Sequence, residues 1–111
     1  MARSMTENSF WILTSLAGGR RHGYEILQET SGTMRLKPTT LYAALERLER
    51  EGLVRTDGEE VVSGRTRRYY ALTDEGSAAL GAEVDQLEAR AKVARERLAT
   101  HPTLRPARGI A

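Results

Sequence analysis

With 111 residues and 40% hydrophobic content, the chain has the size and apolar share of one compact domain with extensions. The lack of cysteine excludes disulfides, thiolate metal sites and cysteine nucleophiles, and no apolar run approaches the ~20 residues that span a bilayer, so a cytoplasmic protein without membrane contact is expected. A net charge of +2 is too small to argue for nucleic-acid binding by itself, which leaves the placement of charge to decide.

The first eight residues show no pattern and are expected to be flexible. From Ser9 to Ala17 the run SFWILTSLA is apolar on several sides, which predicts a helix covered both by its own domain and by a second surface, and Gly18 and Gly19 stop it. Beyond Arg20 and Arg21, residues Tyr24, Ile26, Leu27 and Thr30 fall at helical spacings and predict a short second helix ending by Gly32. Pro38 suits the first turn of a third helix, where its missing N–H is not needed, with Thr39 or Thr40 as candidate caps. In that helix Leu41, Ala44, Leu45 and Leu48 make one inward apolar face, and Gly52 ends it. The opposite face carries Thr39, Thr40, Tyr42, Ala43, Glu46, Arg47 and Arg50, with small and hydrogen-bonding residues in its first turns.

Between Leu53 and Leu72 the period changes to that of strands, with Asp57-Gly58 as turn residues and Ser63-Gly64 near the tip of a β-hairpin. Arg65, Arg67 and Arg68 make the returning strand locally basic, after an acidic stretch that includes Asp57, Glu59 and Glu60. Thr73 is a candidate cap for a last helix, with Asp74 and Glu75 favourably placed at the positive end of its dipole and Gly76 weakening its start slightly. Leu80, Val84, Leu87, Ala91, Ala94 and Leu98 then keep alternating spacings of four and three, a narrow heptad stripe flanked by charge. The tail from residue 101 holds two prolines and a glycine and is expected to fray. The resulting division is residues 1–8 flexible, 9–73 a DNA-binding domain, 74–100 a dimerisation helix and 101–111 a flexible tail.

The order helix, helix, helix, hairpin, long helix is that of a mainly α (α+β) winged helix-turn-helix protein with a long C-terminal dimerisation helix. Four segments in that order, HGYEI from His22, TLY from Thr40, LERLEREGLV from Leu45 and RRYYALTDEG from Arg67, resemble the signatures of the PadR family of bacterial transcription regulators. The single helix after the wing is similar to the smaller subgroup of that family. Two positions depart from the pattern: Thr39 stands where the family often has glycine, and Ala43 where it often has proline. The resemblance implies a repressor that acts as a homodimer, and members of this size respond to hydrophobic molecules.

The third helix meets the needs of a recognition helix, since Thr39, Thr40, Tyr42 and Arg47 offer donors of graded reach and Lys37 stands beside them to neutralise a phosphate. Arginine forks bind phosphate bidentately and fit a narrow minor groove, so Arg65, Arg67 and Arg68 are expected to touch the backbone from the wing. His22 and Tyr24 are weaker phosphate candidates, because a lone histidine is usually structural and a tyrosine can pack under helices. The heptad stripe, with Phe10 and Trp11 from the first helix, is expected to form the dimer interface, since so small a domain lacks the surface to cover it. His22 and His101 give no metal-ligand spacing, and no catalytic constellation or phosphate-binding glycine loop is present, so neither enzyme activity nor a cofactor is expected. Two other readings stay open: a winged-helix module that pairs with protein, and a sensor that takes a planar hydrophobic effector between subunits, for which Trp11 is the one large aromatic.

Overall fold

The computed structural model describes residues 5–102. Helix α1 spans Glu7–Ala17, strand β1 Arg21–His22, helix α2 Gly23–Thr30, helix α3 Pro38–Arg50, strand β2 Val54–Val62, strand β3 Arg65–Leu72 and helix α4 Asp74–Ala99. Of the expected flexible ends, residues 1–4 and 103–111 lie outside the described residues, whereas Glu7 and Asn8 already belong to α1. That helix starts two residues before its apolar run because Thr6 caps it, its hydroxyl oxygen accepting from the Ser9 N–H at 3.1 Å.

The four-spaced and three-spaced apolar residues of the first three helices face one core. Ile12, Leu13 and Leu16 of α1 meet Ile26 of α2, Leu41, Ala44, Leu45 and Leu48 of α3, and Val54 and Tyr70 of the sheet. Seven of these side chains are essentially sealed from water, each contributing about 1.5–3 kcal/mol relative to an exposed position. Thr30 joins them by donating its hydroxyl to the Ile26 carbonyl at 2.8 Å. Tyr24, expected on the packed side of α2, is instead 59% exposed.

The α3 start corrects one expectation. Its N-cap is Lys37, with no side-chain hydrogen bond, so neither Thr39 nor Thr40 caps it. Both threonines lie inside the helix and are exposed, and Pro38 occupies the first turn as expected.

The sheet has three antiparallel strands in the order β1-β3-β2. β1, only two residues long, pairs Arg21 with Tyr70 and His22 with Tyr69, and no sequence pattern announces it. Asp57-Gly58 makes no hairpin turn. β2 runs through it as a bulge, the register shifting between Thr56 and Glu59, and Gly58 takes the positive φ of 95° that such a bulge requires. The turn sits at Ser63 and Gly64, whose φ values of 52° and 77° match the mirror-image turn that suits twisted hairpins.

Gly76 also departs from the sequence reading. A Cβ at this position would collide with the Leu53 carbonyl oxygen, so glycine is what lets the first turn of α4 lie against the start of β2. Thr73 completes the joint: its hydroxyl accepts from the Gly76 N–H at 2.9 Å and donates to the Gly52 carbonyl at 2.7 Å, while its N–H donates to Leu53 at 3.1 Å.

By packing the chain divides after Gly81. Within the first unit Leu80 packs partly buried against the core, so this first residue of the heptad stripe serves its own domain. The second unit is the rest of α4, on which Val84, Leu87, Ala91, Ala94 and Leu98 are all exposed. Among the described residues no helix is long and apolar enough to cross a membrane.

Candidate nucleic-acid interface

The outward face of α3 is open. Thr39, Thr40 and Ala43 are exposed in its first two turns, so nothing keeps a second surface from reaching the helix backbone there. Tyr42, 46% exposed, leans over the first residue of α2: a Cβ on Gly23 would overlap its hydroxyl and ring carbons. The absent side chain of Gly23 thus fixes where Tyr42 stands. Lys37 is exposed just ahead of α3.

Arg47 is held rather than extended, its Nη2 donating to Ser9 Oγ at 2.6 Å and its Nε lying 3.8 Å from the Glu51 carboxylate. Beside it an open cleft of about 460 Å³ runs along α3 to the start of α1, lined by Asn8, Thr39, Thr40, Ala43, Arg47 and Arg50. The sequence reading puts Arg50 on the outward face of α3 without counting it among the DNA contacts, and does not single out Asn8. Asn8 precedes the apolar run that marks α1, and only folding brings it to α3.

On the wing, strand alternation sends successive side chains to opposite faces, so Arg67 and Arg68 do not act side by side. Arg67 shares a face with Tyr69 and stands 3.5 Å from His22 Nε2. Arg68 shares the other face with buried Tyr70 and pairs with Glu59 at 3.4 Å. The register places Glu59 opposite Arg68 and Glu60 opposite Arg67, so the acidic stretch of β2 offsets the arginines across the ladder. Arg65 is opposite Val62 at the tip and has no such carboxylate across from it.

These charges also act on the tyrosines. Tyr69 donates its hydroxyl to Glu60 at 2.7 Å, which raises the phenol above the ordinary tyrosine value, because the bond is lost with the proton. Burial raises Tyr70, against an opposing pull from the Arg68 charge. Arg20 stacks 4.1 Å over the Tyr69 ring and donates to the Asp57 carbonyl at 2.8 Å, fastening the bulge of the wing to the segment between α1 and α2.

His22 is buried, and its role follows from that. Its Nδ1 accepts from the Glu25 N–H while the Glu25 carboxylate accepts from the His22 N–H, a reciprocal cap on α2. Nε2 lies 3.6 Å from the Glu25 carboxylate and 3.5 Å from Arg67, so the geometry gives His22 a capping role at the start of α2. Tyr24 is the reverse case, exposed on α2 with its hydroxyl 3.4 Å from Gln28 Nε2. Phe10 and Trp11 are half-buried on α1, their rings edge to face at 5.1 Å, with Trp11 Nε1 donating to Glu7 at 2.8 Å. Among the described residues no group of histidine or acidic side chains could hold a metal ion.

Residues 12–82 match the model of the Transcriptional regulator PadR-like family. A transcriptional regulator of Mycobacterium tuberculosis is 42% identical over 82 residues, 73% of this chain and 76% of that protein. Among solved structures, a PadR family transcription regulator from Clostridium difficile superposes with a TM-score of 0.73 at 29% identity, covering 84% of this chain and 99% of that one. The Bacillus subtilis PadR, crystallised in complex with operator DNA, shares the fold with a TM-score of 0.62 at 23% identity over 68% of this chain and 45% of its own. A match over more than half the sequence, with the winged-helix architecture behind it, settles the assignment: this chain belongs to the PadR-like family of transcriptional regulators, which are not enzymes.

Proposed function

We propose that the protein is a cytoplasmic repressor that binds a pseudo-palindromic operator as a homodimer, each protomer setting α3 into one of two successive major grooves. The observation that carries this reading is the exposed first half of α3, where Thr39, Thr40 and Ala43 leave the helix open to base edges and Tyr42 stands fixed beside them. In this reading exposed Lys37, Tyr24 and Arg65 contact phosphates around it, and Arg67 and Arg68 do so on release from His22 and Glu59. The fold shared with the Bacillus subtilis protein bound to operator DNA supports the docking mode.

In this reading residues 9–73 read DNA and residues 74–100 join the protomers. On the same reading Val84, Leu87, Ala91, Ala94 and Leu98, exposed on α4 in the single chain, form the seam between protomers, and half-buried Phe10 and Trp11 of α1 also belong to the interface. A small hydrophobic effector that alters dimer geometry would release the operator. The test is selection of bound fragments from the source genome, followed by sizing of the selected complex. One palindromic site bound by two chains is expected. Retention of no fragment would favour the protein-interaction module, and a single chain on an asymmetric site would overturn the dimer.

A further inference from the structure

The cleft between α3 and the start of α1 has a one-sided chemistry. Its lining offers the guanidinium groups of Arg47 and Arg50, the hydroxyls of Thr39 and Thr40 and the carboxamide of Asn8, all of which can donate hydrogen bonds, and among the described residues no carboxylate lines it. Ala43 between the threonines and the arginines has no side chain beyond Cβ, which leaves room at the floor. Arg47 is fixed in place by Ser9 and Glu51, yet a guanidinium has five N–H groups and these two partners use only part of the fork. An open cleft of this size, with two guanidinium groups and neutral donors on its wall, has room for a phosphate group of a passing strand.

We propose that this cleft holds one backbone phosphate of bound DNA, with Arg50 and Asn8 as its principal ligands and Arg47 as the fixed positive charge beside them. The site is continuous with the outward face of α3, through Thr39, Thr40 and Ala43, so a strand bordering the groove that α3 enters passes over it. The start of α1 thereby becomes a clamp on the operator in addition to the wing. This rests on the DNA-binding reading above, and the contact carries no sequence information: it sets the register of α3 in the groove.

The test compares Arg50→Gln and Asn8→Ala with the unaltered protein in binding to operator and to random duplex across a salt series. Neither side chain lies in the core, and circular dichroism with a melting curve checks that both variants keep the fold. Losing one phosphate contact lowers the salt slope by ~0.9 for both duplexes, so the fall in affinity between 50 and 200 mM salt becomes about 3.5-fold shallower for Arg50→Gln. Asn8→Ala, which removes no charge, weakens both duplexes by a common factor and leaves the slope unchanged. In a second arm inorganic phosphate is titrated while the Asn8 side-chain amide is followed by NMR. Intact slope and affinity in both variants, with the operator still bound by the unaltered protein, overturn the inference and leave the functional reading standing. Phosphate shifts that vanish in Arg50→Gln without a change in slope assign the cleft to a free anion and likewise overturn it. Failure of the unaltered protein to bind any duplex overturns the functional reading itself.

Discussion

Replacing Gly76 by alanine tests how α4 is joined to the winged domain. On helix propensity alone the change favours the helix by up to about 1 kcal/mol. The structure reverses the sign, because the added Cβ meets the Leu53 carbonyl oxygen and crowds Leu72 Cδ1 at 2.9 Å. Backbone cannot turn aside as a flexible side chain can, so either α4 or the start of β2 must move. Such overpacking costs about 1–3 kcal/mol. The movement also strains the bonds from Thr73 to Leu53 and Gly52, worth about 0.5–1.5 kcal/mol each. Set against the propensity gain, the net loss is roughly 1–5 kcal/mol. For a domain of this size 1 kcal/mol moves the midpoint by about 4–8 °C, so a fall of at least about 4 °C in calorimetric Tm is expected. Gly81 supplies the control: a Cβ there meets nothing, and Gly81→Ala should hold or raise the Tm. An unchanged or higher Tm for Gly76→Ala would refute the close approach and with it the placement of the first turn of α4.

Leu87→Asp should dissociate or unfold the proposed dimer, since an unpaired buried charge costs several kcal/mol, and sedimentation alongside circular dichroism reads both; an unaltered mass would remove Leu87 from the proposed interface. Gly23→Ala should displace Tyr42 and weaken operator binding more than random-duplex binding, and the effect should shrink in a Tyr42→Ala background; equal losses in both backgrounds would show that Gly23 acts through folding alone. Glu60→Gln removes the carboxylate that holds the Tyr69 proton, so the ionisation of Tyr69 should move to lower pH in a spectrophotometric titration; an unmoved curve would deny the bond.

What the sequence made legible were features with a period. The i, i+3, i+4, i+7 spacing of Leu41, Ala44, Leu45 and Leu48 located α3 and its buried face, and Ser63-Gly64 located the hairpin tip. Features set by a partner distant in sequence were not legible. β1 is two residues long and exists because β3 lies beside it. Asp57-Gly58 has the composition of a turn, yet the ladder continues past it as a bulge. Gly76 reads as a weak helix start until Leu53 is seen above it. The residues proposed to face DNA divide in the same way. Thr39, Thr40 and Tyr42 follow from helical phase, whereas the pairing of Arg68 with Glu59 follows from strand register, and the capping role of His22 from its burial.

The central claim is a division of labour in which α3 reads sequence and the basic groups around it hold the backbone. It is tested most directly by measuring binding to operator and to random duplex over a salt series for Thr40→Ala, Tyr42→Ala and a variant with Arg67 and Arg68 both replaced by alanine. The two α3 variants should lose roughly 1–3 kcal/mol on the operator and much less on random DNA, with the salt slope intact. The double arginine variant should weaken both duplexes alike and lower the slope by up to ~2, or by less to the extent that Glu59 already holds the Arg68 charge. Equal losses on both duplexes for Thr40→Ala and Tyr42→Ala would contradict the claim.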